Sequence, residues 1–166
     1  SVKYTRSIEA PYPAAVDDAE QAYKALIASG TPAAQIVLAG TSAGGGLALA
    51  LIHRLLAKGD PLPACVVTLS AWIDLTMSFP SIDLLAKTDV ILTRTWTTRA
   101  AQIYGGDEVS NNPEISPGLG DFTGAPPNLL LYSKAELFRD EIEDFAAKLE
   151  AAKVSVQLAA HDHAPH

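Results

Sequence analysis

At 166 residues the chain is long enough for one globular domain and too short for two ordinary ones. A composition of 48% hydrophobic and 19% charged residues excludes a disordered chain, a collagen and a disulfide scaffold. The net charge of −7, with only 12 scattered Lys and Arg residues, argues against a nucleic-acid partner and favours a small neutral substrate.

Helical and strand patterns alternate along the chain. Apolar residues at helical spacing predict a helix over residues 13–29, ended by Gly30. A β-rich run at 35–39 turns at Gly40 into an apolar helix that includes 47–56. The remaining predicted elements are strands at 65–70, 128–133 and 154–159 and a helix at 138–152. This alternation predicts an α/β fold, with a mostly parallel sheet and helices on both faces.

Residues 74–127 depart from this alternation, because loops rich in Pro, Gly and Asn enclose one helical pattern around Trp96 and Ala100. We interpret them as a small cap-like excursion near the site, within a single domain over 1–166. The chain opens in what reads as a strand and stops at His166 without a closing element, so we expect it to be part of a larger protein.

A Gly-x-Ser-x-Gly pattern stands at residues 40–44, where the predicted strand meets the apolar helix. A tight turn of this kind presents a serine oxygen to substrate, which makes Ser42 the candidate nucleophile. We expect Gly40 and Gly44 to leave room for the turn. The N–H of Ala43, at the positive end of the helix, is the candidate first donor of an oxyanion hole.

Glycines between a strand and a helix also occur in nucleotide-binding folds, so the alternatives are a phosphate loop or a plain turn with Ser42 as helix cap. No lysine follows these glycines as in a P-loop, and the spacing differs from the dinucleotide fingerprint. Gly45 and Gly46 are expected to keep the helix start close to the sheet. The pattern therefore favours a nucleophile.

A serine needs a base, and in this fold the acid and then the histidine follow the serine in the chain. His53 lies about three turns along the helix and is too far away. His161, His163 and His166 all follow the last predicted strand, where a parallel sheet builds its site. The alternatives for these histidines are a metal site or solvated loop residues, although no recognised ligand spacing accompanies them.

Two carboxylates follow the strand at 128–133, where the acid is expected. Glu136 lies closer to the strand end, and Asp140 lies where the next helix begins. The alternative for both is a structural role at a helix N-terminus, which carboxylates favour. The residues alone leave Glu136 and Asp140 open.

Taken together, these residues resemble the bacterial and fungal carboxylesterases related to hormone-sensitive lipase, nearly from end to end. The matching segments are residues 12–19, Gly-Thr-Ser-Ala-Gly-Gly at 40–45, Trp-Ile-Asp-Leu-Thr at 72–76, Ile-Ser-Pro at 115–117 and Pro-Pro at 126–127. The resemblance implies an α/β-hydrolase fold. It places the acid at Glu136, in Glu-Leu-Phe-Arg-Asp, and the histidine at His166, after Ala-Pro.

The chain also departs from this family. Thr41 stands where Asp is usual, and the implied acid is Glu where Asp is commoner. The family's His-Gly-Gly-Gly segment, which supplies further oxyanion donors, is absent and would precede Ser1. One such donor contributes roughly 2.7–4 kcal/mol in a serine protease, and the family's first sheet strands would be missing too. We therefore expect these 166 residues alone to fold poorly and to be nearly inactive.

The sequence thus predicts a serine carboxylesterase that hydrolyses short- or medium-chain esters through an acyl-enzyme, with no metal or organic cofactor. The expected partner is a small-molecule ester, and a homodimer stays open. No stretch reaches the ~20 apolar residues that cross a bilayer and no signal-peptide layout is present, so the expected location is the cytoplasm. The alternatives are a non-catalytic small-molecule-binding homologue and an amidase or peptidase. Cys65, the single cysteine, is expected in the core.

Overall fold

The structure, a computed structural model, describes residues 1–162 and 166. Residues 163–165, which are His163 and the Ala-Pro pair before His166, lie outside the described residues. Within the described part, four parallel strands form one sheet in chain order. They are β1 (Val37–Thr41), β2 (Cys65–Leu69), β3 (Asn128–Ser133) and β4 (Val156–His161). The predicted parallel α/β sheet is confirmed.

One helix precedes the first strand and the others lie between strands, all but the short one at Ser81–Leu84 as predicted. They are α1 (Ala14–Ala28), α2 (Ala43–Lys58), α3 (Ser81–Leu84), α4 (Arg94–Gly105) and α5 (Arg139–Ala151), with 3-10 turns at Ala33–Gln35, Gly106–Ser110 and Pro117–Leu119. No helix in the described residues is long and apolar enough to span a membrane.

Two strands begin two residues later than the sequence patterns predicted. The 3-10 turn at Ala33–Gln35 occupies the start of the first run, so β1 begins at Val37. The N–H of Val154 donates to the carbonyl of Leu149 in α5, and Lys153 has a positive φ of 59°. These residues therefore close α5 and do not belong to β4.

The sheet has one covered face and one open face among the described residues. Val66 and Leu130 are fully buried beneath α2 and α5 in the main hydrophobic cluster. The side chains at the alternating strand positions point to the opposite face of the sheet. Two of them, Val37 and Leu69, are 53% and 44% exposed. The prediction of helices on both faces is therefore wrong for the part that the structure describes. Cys65 shares the open face and is only half-buried, which corrects its expected place in the core.

A buried arginine joins α1, α2 and the excursion. Arg54, in α2, is 7% exposed and pairs with Asp17 and Glu20 of α1 at 2.6 Å and 3.1 Å. Its guanidinium also binds the carboxylate of Glu114, which accepts a hydrogen bond from Tyr12. A guanidinium with several carboxylate partners holds its neighbours in fixed positions. This network positions α1 and residue 114 relative to the helix that follows Ser42.

The excursion at 74–127 is confirmed as a departure from the strand–helix alternation, and its predicted helix is α4. The N-terminal segment differs from the expectation, because residues 1–6 contain no strand. The backbone N–H of Thr5 donates to the carboxylate of Asp18 in α1 at 2.7 Å, and no strand pairs with it. The segment instead passes along α1 and contributes Tyr4, Thr5 and Arg6 to the wall of a cavity.

Candidate active site

Ser42 lies between β1 and α2 with a strained backbone. Its φ of 54° and ψ of −123° fall where residues with a Cβ are rarely found. The surrounding backbone holds this conformation, because the Ser42 N–H donates to the carbonyl of Leu69 at 2.9 Å. The Ser42 carbonyl accepts hydrogen bonds from the N–H groups of Gly45, Gly46 and Trp72. The turn thus presents the Ser42 side chain at the carboxyl end of the sheet.

The two glycines that flank the serine have different roles. A Cβ on Gly40 would lie 2.1 Å from the carbonyl oxygen of Gly44, so only glycine fits at this position. A Cβ on Gly44 would meet only the Tyr4 hydroxyl, at 3.9 Å. The expectation that both glycines leave room for the turn is therefore correct for Gly40 and wrong for Gly44.

Gly45 and Gly46 bring the start of α2 against the segment that follows β2. A Cβ on Gly45 would approach the Ala71 Cβ to 2.7 Å, and a Cβ on Gly46 would approach the Trp72 carbonyl oxygen to 2.2 Å. The close approach expected from the sequence is present at both residues. It also lets the Trp72 N–H reach the carbonyl of Ser42.

His166 lies beside the serine although 124 positions separate them in the chain. Its Nε2 is 2.8 Å from the Ser42 Oγ, which is hydrogen-bond distance. The imidazole is 7% exposed and packs edge-on against Phe138, with ring centroids 5.1 Å apart. An aromatic ring thus holds the imidazole beside Ser42.

The other histidines lie elsewhere or outside the described residues. His53 lies in α2 and packs against Phe122, with ring centroids 6.1 Å apart. His161 is the last residue of β4 and is exposed. His163 lies outside the described residues. Of the histidines that the structure describes, His166 is the one brought to Ser42.

Glu136 faces the other nitrogen of the same imidazole. Its Oε2 is 3.3 Å from His166 Nδ1, and the carboxylate is fully buried. The distance suits an ion pair, but the orientation is not that of a hydrogen bond, and neither Glu136 oxygen has a hydrogen-bond partner among the described residues. Catalytic hydrogen bonds are often long or poorly aligned until substrate binds.

Asp140 has other partners. Its carboxylate accepts hydrogen bonds from the backbone N–H of Ser81 at 2.8 Å and from the Arg139 guanidinium, also at 2.8 Å. Asp140 lies in the first turn of α5, which is the structural alternative weighed from the sequence. Of the two carboxylates left open, Glu136 is the one that the fold brings to His166.

A mostly apolar cavity of about 280 Å³ lies at the start of α2, which directly follows Ser42 in the chain. Ala43, the first residue of α2, lines it, and the first N–H of a helix has no partner within the helix. The N-terminal segment, α2 and α4 form its walls, with Tyr4, Leu47, Trp72, Trp96 and Ala100 among the lining residues. A second cavity of about 350 Å³ adjoins His166 on the side of Thr41 and His161. Of these two cavities, the one lined by Ala43 has the more apolar surface.

The comparisons with known proteins agree with this architecture. The family model for the alpha/beta hydrolase fold matches residues 1–166. A hormone-sensitive lipase from a metagenome library superposes with a TM-score of 0.94 at 37% identity, over 98% of this chain and 55% of that chain. An esterase from the bacterial hormone-sensitive lipase family superposes with a TM-score of 0.91 at 35% identity, over 94% and 52%.

The chain belongs to the α/β-hydrolase family. Its relatives include an acetyl-hydrolase of Streptomyces hygroscopicus, 38% identical over 85% of this chain, and an esterase of Acinetobacter venetianus, 32% identical over 95%. The chain spans about half the length of these relatives, 47% and 52% respectively. The resemblance to hormone-sensitive-lipase-like esterases and the α/β-hydrolase fold class are both confirmed.

Glu141 is a buried residue of this chain that the sequence analysis did not single out. Its Oε1 accepts hydrogen bonds from the backbone N–H groups of Ile73 and Asp74 at 2.7 Å and 3.2 Å. Burial raises the pKa of this carboxyl well above its ordinary value, against the lowering effect of these two N–H donors. A carboxylate at a helix start is usually exposed, but Glu141 stands at i, i+4 and i+8 spacing with Phe145 and Leu149, so helical periodicity places it on the buried face.

Proposed function

We propose that this chain carries the site of a serine carboxylesterase, which hydrolyses short- and medium-chain carboxylic esters through an acyl-enzyme. The observation that carries the proposal is the 2.8 Å approach of His166 Nε2 to the Ser42 Oγ, on a strained turn beside an apolar cavity. Relatives named acetyl-hydrolase and esterase support it. Ester hydrolysis is the chemistry that such a pair performs beside an apolar acyl site.

In the first half of the reaction, Ser42 Oγ attacks the ester carbonyl while its proton passes to His166 Nε2. Negative charge develops on the carbonyl oxygen, and the N–H of Ala43 is placed to donate to it. His166 then gives the proton to the alcohol oxygen as the ester bond breaks. The products are the free alcohol and an acyl group on Ser42.

In the second half, His166 takes a proton from water as the water oxygen attacks the acyl carbonyl. The proton returns to Ser42 Oγ as the acyl–enzyme bond breaks, and the carboxylic acid leaves. Glu136 orients the imidazole through Nδ1 and stabilises its cation in both halves. Every step uses side chains of this chain, one backbone N–H and water.

The test is the hydrolysis of a p-nitrophenyl acyl series by the complete protein that contains this chain and by its S42A variant. We expect turnover of the acetate and butyrate esters, and a loss of about 10⁴-fold or more in kcat in S42A, because serine-triad enzymes lose up to about 10⁶-fold when the nucleophile is removed. Ser110→Ala, at an exposed serine outside the site, is the matched control and should keep full turnover.

Three results would count against the proposal. Hydrolysis that survives in S42A would refute the serine mechanism. Saturable ester binding without turnover would favour the non-catalytic binding homologue. Cleavage of the matching p-nitroanilides at rates comparable to the esters would favour an amidase or peptidase.

A further inference from the structure

Part of the excursion is bonded directly to the loop that carries Glu136. We call residues 81–92 the bracing segment and residues 135–138 the acid loop. The Ser81 hydroxyl donates to the carbonyl of Leu137 at 2.6 Å, and the Leu137 N–H donates to Asp89 Oδ2 at 3.1 Å. Both backbone polar groups of the residue after Glu136 are thus held by side chains of the bracing segment.

Asp89 is itself rigidly placed. The residue is 7% exposed, and its Oδ1 accepts hydrogen bonds from the N–H groups of Ile91 and Leu92 at 3.0 Å and 2.9 Å. One oxygen of the Asp89 carboxylate therefore stabilises the turn that follows Asp89, and the other oxygen binds the acid loop. A buried carboxylate with three N–H donors forms strong, directional hydrogen bonds.

Two further bonds support the same loop. The Thr88 hydroxyl lies within hydrogen-bond distance of two carbonyl oxygens that share its proton, that of Leu85 at 2.9 Å and that of Ala135 at 3.0 Å, the latter on the other side of Glu136. The backbone N–H of Ser81 donates to Asp140, which anchors the start of α5. Ser81 and Leu137 are both fully buried, so water does not compete for the bond between them.

The side chain of Glu136 has no hydrogen-bond partner of its own among the described residues. Its distance from His166 Nδ1 is therefore set by the backbone that carries it and by packing. That backbone is held at Ala135 and Leu137 by a segment more than 40 positions away in the chain. Movement of the bracing segment would move the carboxylate relative to the imidazole.

We propose that Asp89 and Ser81 are positioning residues that hold Glu136 in line with His166. This inference rests on the proposed function, in which Glu136 is the carboxylate that orients the imidazole. It assigns a catalytic consequence to the excursion, whose bracing segment lies between β2 and the pocket-lining α4. Neither residue touches the reacting atoms.

The first test is D89N in the complete protein. Whichever way the amide turns, its NH₂ group faces backbone N–H donors, either that of Leu137 or those of Ile91 and Leu92, so the brace is broken with almost no change in volume. We expect kcat per active site to fall about 10- to 100-fold, the size of effect that a misplacement of about 1 Å produces. KM should stay within about 2-fold, because Asp89 does not line the cavity.

A fluorophosphonate, which labels the reactive serine, is used to count the active sites. A lower amount of folded protein is then not mistaken for a lower kcat. Asp107→Asn is the matched control, because Asp107 is exposed in the 3-10 turn at Gly106–Ser110 and lies outside the bracing segment and the acid loop. It should keep the unchanged protein's kcat. S81A removes the hydroxyl that binds Leu137 and should also lower kcat per site, which keeps the inference testable if D89N does not fold.

A double-mutant cycle with E136Q separates positioning from general stability. If Asp89 acts through Glu136, adding D89N to E136Q should lower kcat by less than about 3-fold further, since coupled residues are not additive. Additive losses, or full kcat per site in both D89N and S81A, would overturn the positioning role alone. An E136Q variant as active as the unchanged protein would overturn the assignment of Glu136 itself, and this inference with it.

Discussion

Glu136 and Glu141 are buried carboxyl groups five positions apart with different surroundings. Glu136 faces an imidazole, which can carry the opposite charge. Glu141 faces two backbone N–H groups, with the carboxylates of Asp74 and Glu136 in its neighbourhood. Burial and these like charges raise the pKa of Glu141, so its protonated form is favoured in the folded protein.

The raised pKa of Glu141 predicts a pH-dependent loss of stability. Because the folded state holds this proton more tightly than the unfolded state, the stabilising effect is complete below the unfolded pKa of about 4.3 and is lost as pH rises through the folded pKa. Glu141→Gln removes the titration and keeps the acceptor for Ile73 and Asp74. We expect the free energy of unfolding of E141Q, relative to that of the unchanged protein, to rise by up to about 1.4 kcal/mol for each pH unit in this range.

Urea unfolding at a series of pH values between 4.5 and about 8 measures this difference, since the other titrating groups cancel between the two proteins. Glu150→Gln, at an exposed position of the same helix, is the control and should show a constant difference. A gap between E141Q and the unchanged protein that does not widen with pH would show that Glu141 titrates normally.

At the scale of elements, the unit formed by β1, the turn at Ser42 and α2 depends on backbone contact. The carbonyl of Gly44 occupies the space where a Cβ of residue 40 would lie, and the carbonyl of Trp72 does the same for residue 46. Backbone atoms cannot move aside as the end of a side chain can. A methyl group at residue 40 would therefore separate β1 from α2, and one at residue 46 would separate α2 from the segment that follows β2.

The two glycines of the motif should respond differently to alanine. Gly40→Ala places a methyl group 2.1 Å from a backbone oxygen, so we expect a loss of folded protein or of several kcal/mol in stability. Gly44→Ala meets only the Tyr4 hydroxyl at 3.9 Å and lies in a helix, where alanine is favoured by about 1 kcal/mol over glycine. Thermal unfolding of both variants tests this, and similar losses in the two would contradict it.

At the scale of the whole molecule, the cavity beside Ser42 is assembled from distant parts of the chain. The N-terminal segment, the first turns of α2 and the middle of α4 each contribute one wall. The Arg54 network ties α1 and Glu114, which also lines the cavity, to α2. A change in any of these elements changes the space available to a substrate.

This arrangement predicts that Ala100 limits the acyl chain. Ala100→Leu, on α4, adds three carbon atoms to the wall of a cavity of about 280 Å³. Because each buried methylene contributes about 0.8 kcal/mol, we expect kcat/KM for p-nitrophenyl octanoate to fall at least about 10-fold, with the acetate within about 3-fold. Ala147→Leu, at an exposed position of α5, is the control. Equal losses for acetate and octanoate would show that the acyl chain lies elsewhere.

Local sequence determined the elements and the position of Ser42 at the junction of a strand and a helix. The alternation of strand and helix patterns, and the Gly-x-Ser-x-Gly pattern at their junction, depend on neighbouring residues, and the turn at Ser42 follows from contacts within about thirty positions. The strand at 128–133 was predicted at its observed bounds, because a buried central strand is a continuous apolar run. The choice of His166 among the later histidines needed the family resemblance as well.

Tertiary structure decided the partners. The selection of Glu136 over Asp140 depends on which carboxyl group faces an imidazole and which is occupied by Ser81, and both contacts cross large distances in the chain. The path of the N-terminal segment, the open face of the sheet and the burial of Glu141 depend likewise on packing between remote elements. Periodicity in a sequence reports which face of an element is apolar. What lies against that face is settled only when the elements pack together.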